Sequence, residues 1–166
     1  MAKILLGLII LSLIGLGWFY FSRSSVLSEK QITAGGRKFS VLVPKNHIAK
    51  SGEKGFITAG SGKIISVALN ILERKSSRAI TCSDLKTQTA FYVFNNNFNK
   101  EIEICQSILK EKEVGKGMEL IMLDAPGLTN QDYTYALAMG IRADYFSTSE
   151  GKEQAKKIFE SFKIIN

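Results

Sequence analysis

The sequence predicts an α+β fold, in which helices cover an antiparallel β-sheet as a layered sandwich, behind one N-terminal transmembrane helix. Residues 4–21 are eighteen consecutive residues without a charge. Several later segments alternate apolar and polar side chains with the period of a half-buried strand, and the C-terminal residues carry the spacing of an amphipathic helix. With 166 residues, the chain has room for one core beside the membrane segment. We therefore expect a single domain and an anchor.

The apolar run at residues 4–21 predicts a membrane anchor. As a helix it would cover about 27 Å, which is close to the hydrocarbon thickness of a bilayer. Trp18 and Tyr20, whose rings favour the head-group level, stand at its end with Arg23 just beyond, and these three are the predicted membrane-interface residues. A cleaved signal peptide would need small residues where these bulky rings stand, and a buried core helix is the other alternative. We expect residues 1–22 to be an uncleaved signal anchor.

The orientation of the anchor is predicted differently by two features. Basic side chains that flank a membrane helix tend to stay on the cytoplasmic side. More of them follow the apolar run than precede it, so they do not favour export of the domain. Only Lys3 and the α-amino group precede the run, whereas four basic residues follow it: Arg23, Lys30, Arg37 and Lys38.

The cysteines favour export. Cys82 and Cys105 are the only two in the chain, and their spacing matches no common zinc or redox motif. An even count in an exported domain is typical of a disulfide, whereas two buried thiols are the alternative in a reducing compartment. We expect a single-pass protein of the inner (plasma) membrane, with its domain in the periplasm or outside the cell.

A serine-rich stretch follows the anchor. Residues 23–29 predict a linker, so the soluble α+β domain is expected to cover residues 30–166. It contains no internal repeat and no low-complexity tract.

A hairpin is predicted at the start of this domain. The Gly35 and Gly36 dipeptide lies between strand-like residues 31–34 and 37–43, and glycine permits positive φ at both central positions of a tight turn. The polar residues 45–54 that follow predict a surface loop.

The middle of the chain predicts a long strand and then a helix. Residues 63–73 alternate regularly between apolar and small or polar side chains. Thr81 and Asp84 then resemble a capping box, and residues 85–94 can form a helix that the asparagines at 95–97 end. The phenylalanines of this region are expected in the core.

Two further strands are predicted before the C-terminal third. Residues 101–109 and 118–123 form them, Gly115 and Gly117 mark the turn between them, and residues 124–127 close the second. The first strand should place three isoleucines on one face and one cysteine on the other: Ile102, Ile104 and Ile108 against Cys105.

Residues 131–143 predict the central strand of the sheet. Large side chains share one face and small ones the other, so a helix should approach closely on the small side and the strand should be covered on both sides. The large set is Tyr133, Tyr135, Leu137, Met139 and Ile141, and the small set is Ala136, Ala138 and Gly140.

The C-terminal residues predict an amphipathic helix. Ser147 and Glu150 have the spacing of a capping box, which marks its start. The apolar residues that follow have the i, i+3, i+4, i+7 spacing of one helix face: Ala155, Ile158, Phe159 and Phe162.

Two segments resemble the family of the photosystem II extrinsic protein PsbP, the Ran-binding protein Mog and the bacterial envelope protein DcrB. They are GRKFSVLVPKNH at residues 36–47, where a strand ends in Pro, and KKIFESFKII at residues 156–165, with the Ser161 and Phe162 pair. The resemblance covers residues 31–165. It implies a PsbP-like fold and a non-catalytic module that binds or assembles with other proteins.

The sequence offers no recognisable catalytic constellation. His47, the only histidine, stands in the polar loop without the partners that a base or metal ligand needs, and is expected to be solvated. Asp124, Asp132 and Asp144 match no calcium loop and are expected at solvated strand ends. We expect no catalytic residue, no cofactor and no metal.

The partners predicted are a bilayer, through residues 4–21, and a protein. Lys and Arg outnumber Asp and Glu by 22 to 15, but they are scattered and match no nucleic-acid motif. The expected function is a membrane-anchored extracytoplasmic protein-binding or assembly module without catalytic activity. The alternatives are an immunity or inhibitor protein of the envelope, a small membrane-tethered enzyme with a pocket around Asp132 or Asp144, and a cytoplasmic-facing domain of a membrane complex.

Overall fold

The computed structural model describes residues 26–60, 62–73, 80–109, 118–129 and 133–165. The predicted anchor, with Trp18, Tyr20 and Arg23, lies outside these residues, as does the predicted turn at Gly115 and Gly117. Within the described ranges, no helix has the length and apolar character needed to cross a membrane.

The described residues form two β-sheets and two helices. One sheet has seven antiparallel strands in the order β3-β4-β5-β9-β8-β7-β6, and the other has three in the order β1-β2-β10. The prediction of an antiparallel, sheet-rich α+β domain is confirmed. In chain order the elements are β1 Leu27–Ala34, β2 Arg37–Pro44, β3 Ile48–Gly52, β4 Gly55–Ala59, β5 Ile64–Glu73, β6 Gln88–Asn95, β7 Lys100–Leu109, β8 Leu120–Thr129, β9 Tyr133–Arg142, α1 Ala143–Phe146, α2 Ser149–Ser161 and β10 Lys163–Ile165.

The core lies between the seven-stranded sheet and a second layer made of the small sheet and α2. The inner face of the large sheet presents buried side chains that include Val67, Leu69 and Met139, and those of the second layer include Phe39 and Ile158. Near the end of α2, aromatic rings join the two layers. Phe162 is fully buried, with its ring centroid 5.8 Å from Phe39, 6.2 Å from Phe98 and 6.4 Å from Tyr135.

Several predicted elements are confirmed. Gly35 and Gly36 have φ of +56° and +73°, and the strands that flank them pair in register as the predicted hairpin. The long strand is β5, and the central strand is β9, which lies between β5 and β8. Strand β1 already begins at Leu27, inside the stretch taken as a linker.

The C-terminal helix is confirmed, but its cap is one residue later than predicted. Thr148 is the N-cap, and its Oγ1 accepts a hydrogen bond of 3.0 Å from the Gly151 amide. Ser147 instead donates its hydroxyl to the Asp144 carbonyl. The apolar face packs as expected, since Ala155, Ile158, Phe159 and Phe162 are all buried.

The polar loop predicted at residues 45–54 is wrong, because Ile48–Gly52 forms β3 and pairs with β4. All five residues of β3 are exposed. An edge strand with no buried side chain carries no alternation of apolar and polar residues for the sequence to reveal.

The helix predicted at residues 85–94 is also wrong, because Gln88–Asn95 forms β6. Thr81 and Asp84 do interact, with the Thr81 amide and hydroxyl donating to the Asp84 carboxylate over 2.9 and 2.8 Å, but they close a turn. Aromatic and β-branched residues fill the segment, and these favour a strand. Asn95 at its end ties β6 to the second layer by donating to the carbonyls of Phe159 and Phe162.

Two strand ends differ from the prediction. Residues 124–127 do not close β8, which continues to Thr129 with a register shift between Ala125 and Leu128. This irregularity accommodates Pro126 and Gly127, as β-bulges do. Ile102 and Ile104 of β7 are buried, but Ile108 is 52% exposed. Strand β7 pairs with β6 only as far as Gln106, and Ile108 lies beyond that point.

Among the described residues, no helix packs on the small side chains of β9. They belong to the outer face of the large sheet, with Ser66 and Ala68 of β5, whereas α2 packs into the core on the inner face. A Cβ on Gly140 would lie 3.0 Å from Ser66 Oγ and 3.4 Å from Met122 Sδ. The small residues therefore make room for side chains of the neighbouring strands.

Candidate functional site

The described residues place a disulfide on the outer face of the large sheet. Cys82 and Cys105 are joined, with a Cα–Cα distance of 5.3 Å, as the sequence predicted. Cys105 lies on β7 opposite Thr89 of β6 and Asp124 of β8. The bond therefore holds residues 80–87, which precede β6, against the outer face of the sheet.

Glu103 reinforces this attachment. It lies two residues before Cys105 and so points to the same face of β7. Its carboxylate accepts hydrogen bonds from the Cys82 amide over 3.1 Å, from the Tyr92 hydroxyl over 3.2 Å and from the Thr89 hydroxyl over 3.5 Å. One carboxylate thus joins the turn, β6 and β7, and it orients the ring of Tyr92.

Four exposed apolar side chains come from β6 and from the segment that the disulfide holds on the outer face, and we call them the stapled patch. Tyr92 and Phe94 lie two residues apart and point to the outer face of β6. Ile80 and Leu85 come from the disulfide-bonded segment. Strand β6 is paired on one side, to β7, among the described strands. The members and their exposed fractions are Ile80 44%, Leu85 43%, Tyr92 48% and Phe94 55%.

His47 is not the solvated loop residue that the sequence predicted. Its side chain is 4% exposed and packs on Gly60, where an added Cβ would lie 2.1 Å from the ring Cε1. Neither ring nitrogen has a hydrogen-bond partner among the described residues. Burial lowers the pKa of the imidazole below 6.5, because the charged form loses its hydration. The ring is a neutral packing element.

This burial predicts a pH dependence of stability. Between the lowered native pKa and 6.5 the unfolded chain binds the proton and the native chain does not, so the free energy of unfolding falls as the pH falls through this window. The slope for one proton is at most about 1.4 kcal/mol per pH unit. Urea unfolding of the full chain in detergent at several pH values measures it. His47→Leu should remove the slope, and an unchanged slope in that variant would contradict the assignment.

Asp124 and Asp144, the two of the three aspartates that the structure describes, do not belong to a cation site formed by described residues. Asp144 is exposed and its carboxylate receives two hydrogen bonds from Arg142, of 2.6 and 3.1 Å, which lower its pKa. Asp124 is half-buried on β8, and burial raises its pKa. Asp132 lies outside the described residues. Across the part of the chain that the structure describes, no three His, Cys, Asp or Glu side chains could hold a metal together.

A groove of about 430 Å³ lies between the small sheet and α2. Next to it, the Tyr145 hydroxyl is 2.8 Å from Gln154 Oε1 and 3.1 Å from Glu150 Oε1. Burial, followed by the hydrogen bond to Glu150, raises the Tyr145 pKa above its ordinary value. The groove is lined by Leu27, Leu42, Glu150, Glu153, Gln154 and Lys157. This set contains no cysteine, serine or histidine that would serve as a nucleophile or a base.

The comparisons with known proteins bear on the fold alone. No family model matches the chain, and no curated protein matches it. A crystal structure of a protein from Bacteroides thetaiotaomicron VPI-5482 is similar, with a TM-score of 0.57 and 13% sequence identity, over 85% of this chain. The match takes up 50% of that protein, so the present chain spans half of its length.

The stapled patch was missed in the sequence because residues 85–94 were interpreted as a helix. A strand interpretation would have placed Phe91 and Val93 on one face and Tyr92 and Phe94 on the other. The signal for it was the run of aromatic and β-branched residues. Phe91 and Phe98 do pack against the core, as expected for this aromatic cluster, but Phe94 does not.

Proposed function

We propose that the chain is a membrane-anchored extracytoplasmic binding module, whose stapled patch docks on a segment of a partner protein. The observation that carries the proposal is the pair of exposed aromatic rings, Tyr92 and Phe94, beside a strand edge that no other described strand pairs with. Aromatic side chains are enriched among the residues that dominate binding energy at interfaces. A disulfide and the Glu103 carboxylate fix the neighbouring backbone, so little conformational freedom is lost on binding.

The partner segment that fits this surface is an extended strand with apolar side chains. The edge of β6 that no described strand occupies offers backbone groups for pairing, as in β-strand addition. The rings of Tyr92 and Phe94, which share one face of β6, offer apolar contacts on one side of the added strand. Leu85 and Ile80 extend these contacts beyond the sheet.

The disulfide supports an extracytoplasmic location, because disulfides persist in oxidising compartments and are rare in the cytosol. The basic residues after the apolar run do not favour export. The cysteine pair outweighs this charge distribution as support for the location, because Glu103 as well as the disulfide bond holds it in place. The resemblance to the PsbP, Mog and DcrB family supports the same role, a non-catalytic module that binds or assembles with proteins.

The experiment is photocrosslinking in intact cells with p-benzoylphenylalanine placed at Phe94 of the full-length chain. We expect a discrete protein adduct from this position and none from Glu160, an exposed control on α2. Leu85→Glu should reduce the Phe94 adduct at least tenfold, because it places a charge in the patch without changing the core. An adduct that is equal from both positions, or that Leu85→Glu leaves unchanged, would refute the proposed interface.

An immunity or inhibitor protein of the envelope would use the same surface. In that case the adduct would contain a secreted toxin or enzyme, whereas an assembly module would be linked to a resident envelope protein. Mass spectrometry of the adduct distinguishes the two.

A further inference from the structure

The start of the described chain pairs with the end of β2, shortly before the chain enters the β3 edge strand of the large sheet. The Val26 carbonyl accepts a hydrogen bond of 2.9 Å from the Lys45 amide, and Leu27 pairs with Pro44. Lys45 leads directly into the β3 edge strand, which starts at Ile48. The point where the chain enters the domain is therefore fixed beside β3.

Exposed isoleucines and lysines lie on the segment that follows this entry point and on the outer face of β3 and β4. Ile48 and Lys50 lie on one face of β3, and the register places Lys50 opposite Ile57 of β4 on the same face. Ile48 is 70% exposed, Ile57 58% and Val26 50%, and both lysines are exposed. We call Val26, Lys45, Ile48, Lys50 and Ile57 the anchor-side patch.

Chain length restricts where this patch can lie. Five Cα steps separate Phe21, the end of the apolar run, from Val26, and they span at most about 18 Å even when fully extended. If residues 4–21 span the membrane, the anchor-side patch is held near the head groups. This step rests on the anchor of the proposed function.

The chemistry of the patch also fits a bilayer surface. Residues 45–54 carry three positive charges, Lys45, Lys50 and Lys54, and one negative charge, Glu53. Lysines are attracted to an anionic membrane surface, and isoleucine side chains gain free energy when they leave water. The isoleucine side chains suit the acyl side of the head-group boundary, and the lysines beside them suit its phosphates.

We propose that the anchor-side patch docks on an anionic bilayer surface, with Ile48 and Ile57 inserted at the acyl boundary and Lys45 and Lys50 on the phosphates. The domain then stands on its β3 edge and has a fixed orientation on the membrane. The anchor keeps the domain close to the membrane, and the anchor-side patch determines which side of the domain faces it.

The test is tryptophan quenching by brominated lipids. The full chain is reconstituted in vesicles of phosphatidylcholine and phosphatidylglycerol whose acyl chains carry bromine near the head group. Trp18 is the only tryptophan, so Trp18→Phe gives a silent background. Into it we introduce Ile48→Trp, or Phe94→Trp as a control, since Phe94 is also apolar and exposed and lies on the opposite edge of the described sheet.

We expect quenching at position 48 to be several-fold greater than at position 94. Lys45→Glu with Lys50→Glu should reduce the signal at position 48 to the level of the control. Equal, weak quenching at 48 and 94, with Trp18 of the unmodified chain strongly quenched, overturns the docking and leaves the anchor intact. If Trp18 is not quenched either, the anchor fails, and the proposed function fails with it.

Discussion

Phe162→Ala is expected to lower the free energy of unfolding by about 4 kcal/mol, the middle of the range for removing a buried aromatic ring. The ring is fully buried and lies against three others, those of Phe39, Phe98 and Tyr135, which come from separate parts of the chain. Its loss leaves a cavity between the two layers that these rings cannot close without leaving their own contacts. Urea unfolding of the full chain in detergent measures the change.

The matched control for this change is Phe94→Ala. It removes the same atoms from a side chain that is 55% exposed on the outer face, so the free energy of unfolding should change by less than about 0.5 kcal/mol. If the two variants lost similar stability, the joining of the two layers by Phe162 would be contradicted.

The double substitution Cys82→Ala with Cys105→Ala should lower the free energy of unfolding by about 3 kcal/mol. The disulfide closes a chain segment with a sequence separation of 23, and the entropy of the unfolded chain rises when that closure is removed. Alanine is the appropriate replacement because both thiols are buried, at 2% and 1% exposure. The change is measured by urea unfolding of both proteins with and without reductant.

Reductant provides the internal control for this second prediction. It should destabilise the wild-type chain to the level of the double variant and leave the variant unchanged. A wild-type protein whose unfolding midpoint did not respond to reductant would contradict the disulfide. The Phe94 photoadduct should also weaken in the double variant, because residues 80–87 would be held by Glu103 alone.

Sequence reasoning succeeded where a local pattern determines the local structure. The Gly35 and Gly36 turn needs two positive φ values, and only glycine offers them without strain. Strand β9 carries the alternation that its central position requires, and α2 carries the helical spacing of its buried face. The disulfide was one of two open alternatives, since spacing along the chain does not show which residues face each other across a sheet.

Sequence reasoning failed where the deciding contact comes from elsewhere in the chain. The burial of His47 depends on Gly60, whose missing side chain leaves room for the ring. The length of β3 depends on pairing with β4 rather than on its own side chains. The aromatic residues of β6 divide between core and surface because β7 pairs with it, and that partner is not visible from within residues 85–94.

The order of the seven strands has a mechanical consequence. Strands β3 and β6 form opposite edges, six strand spacings apart, which corresponds to about 29 Å across a sheet. A domain that rests on lipid through β3 would present Tyr92 and Phe94 at the top of a rigid spacer. A partner would then be captured at a height above the membrane that the number of strands sets, and a chain shortened by one hairpin of this sheet would no longer reach it.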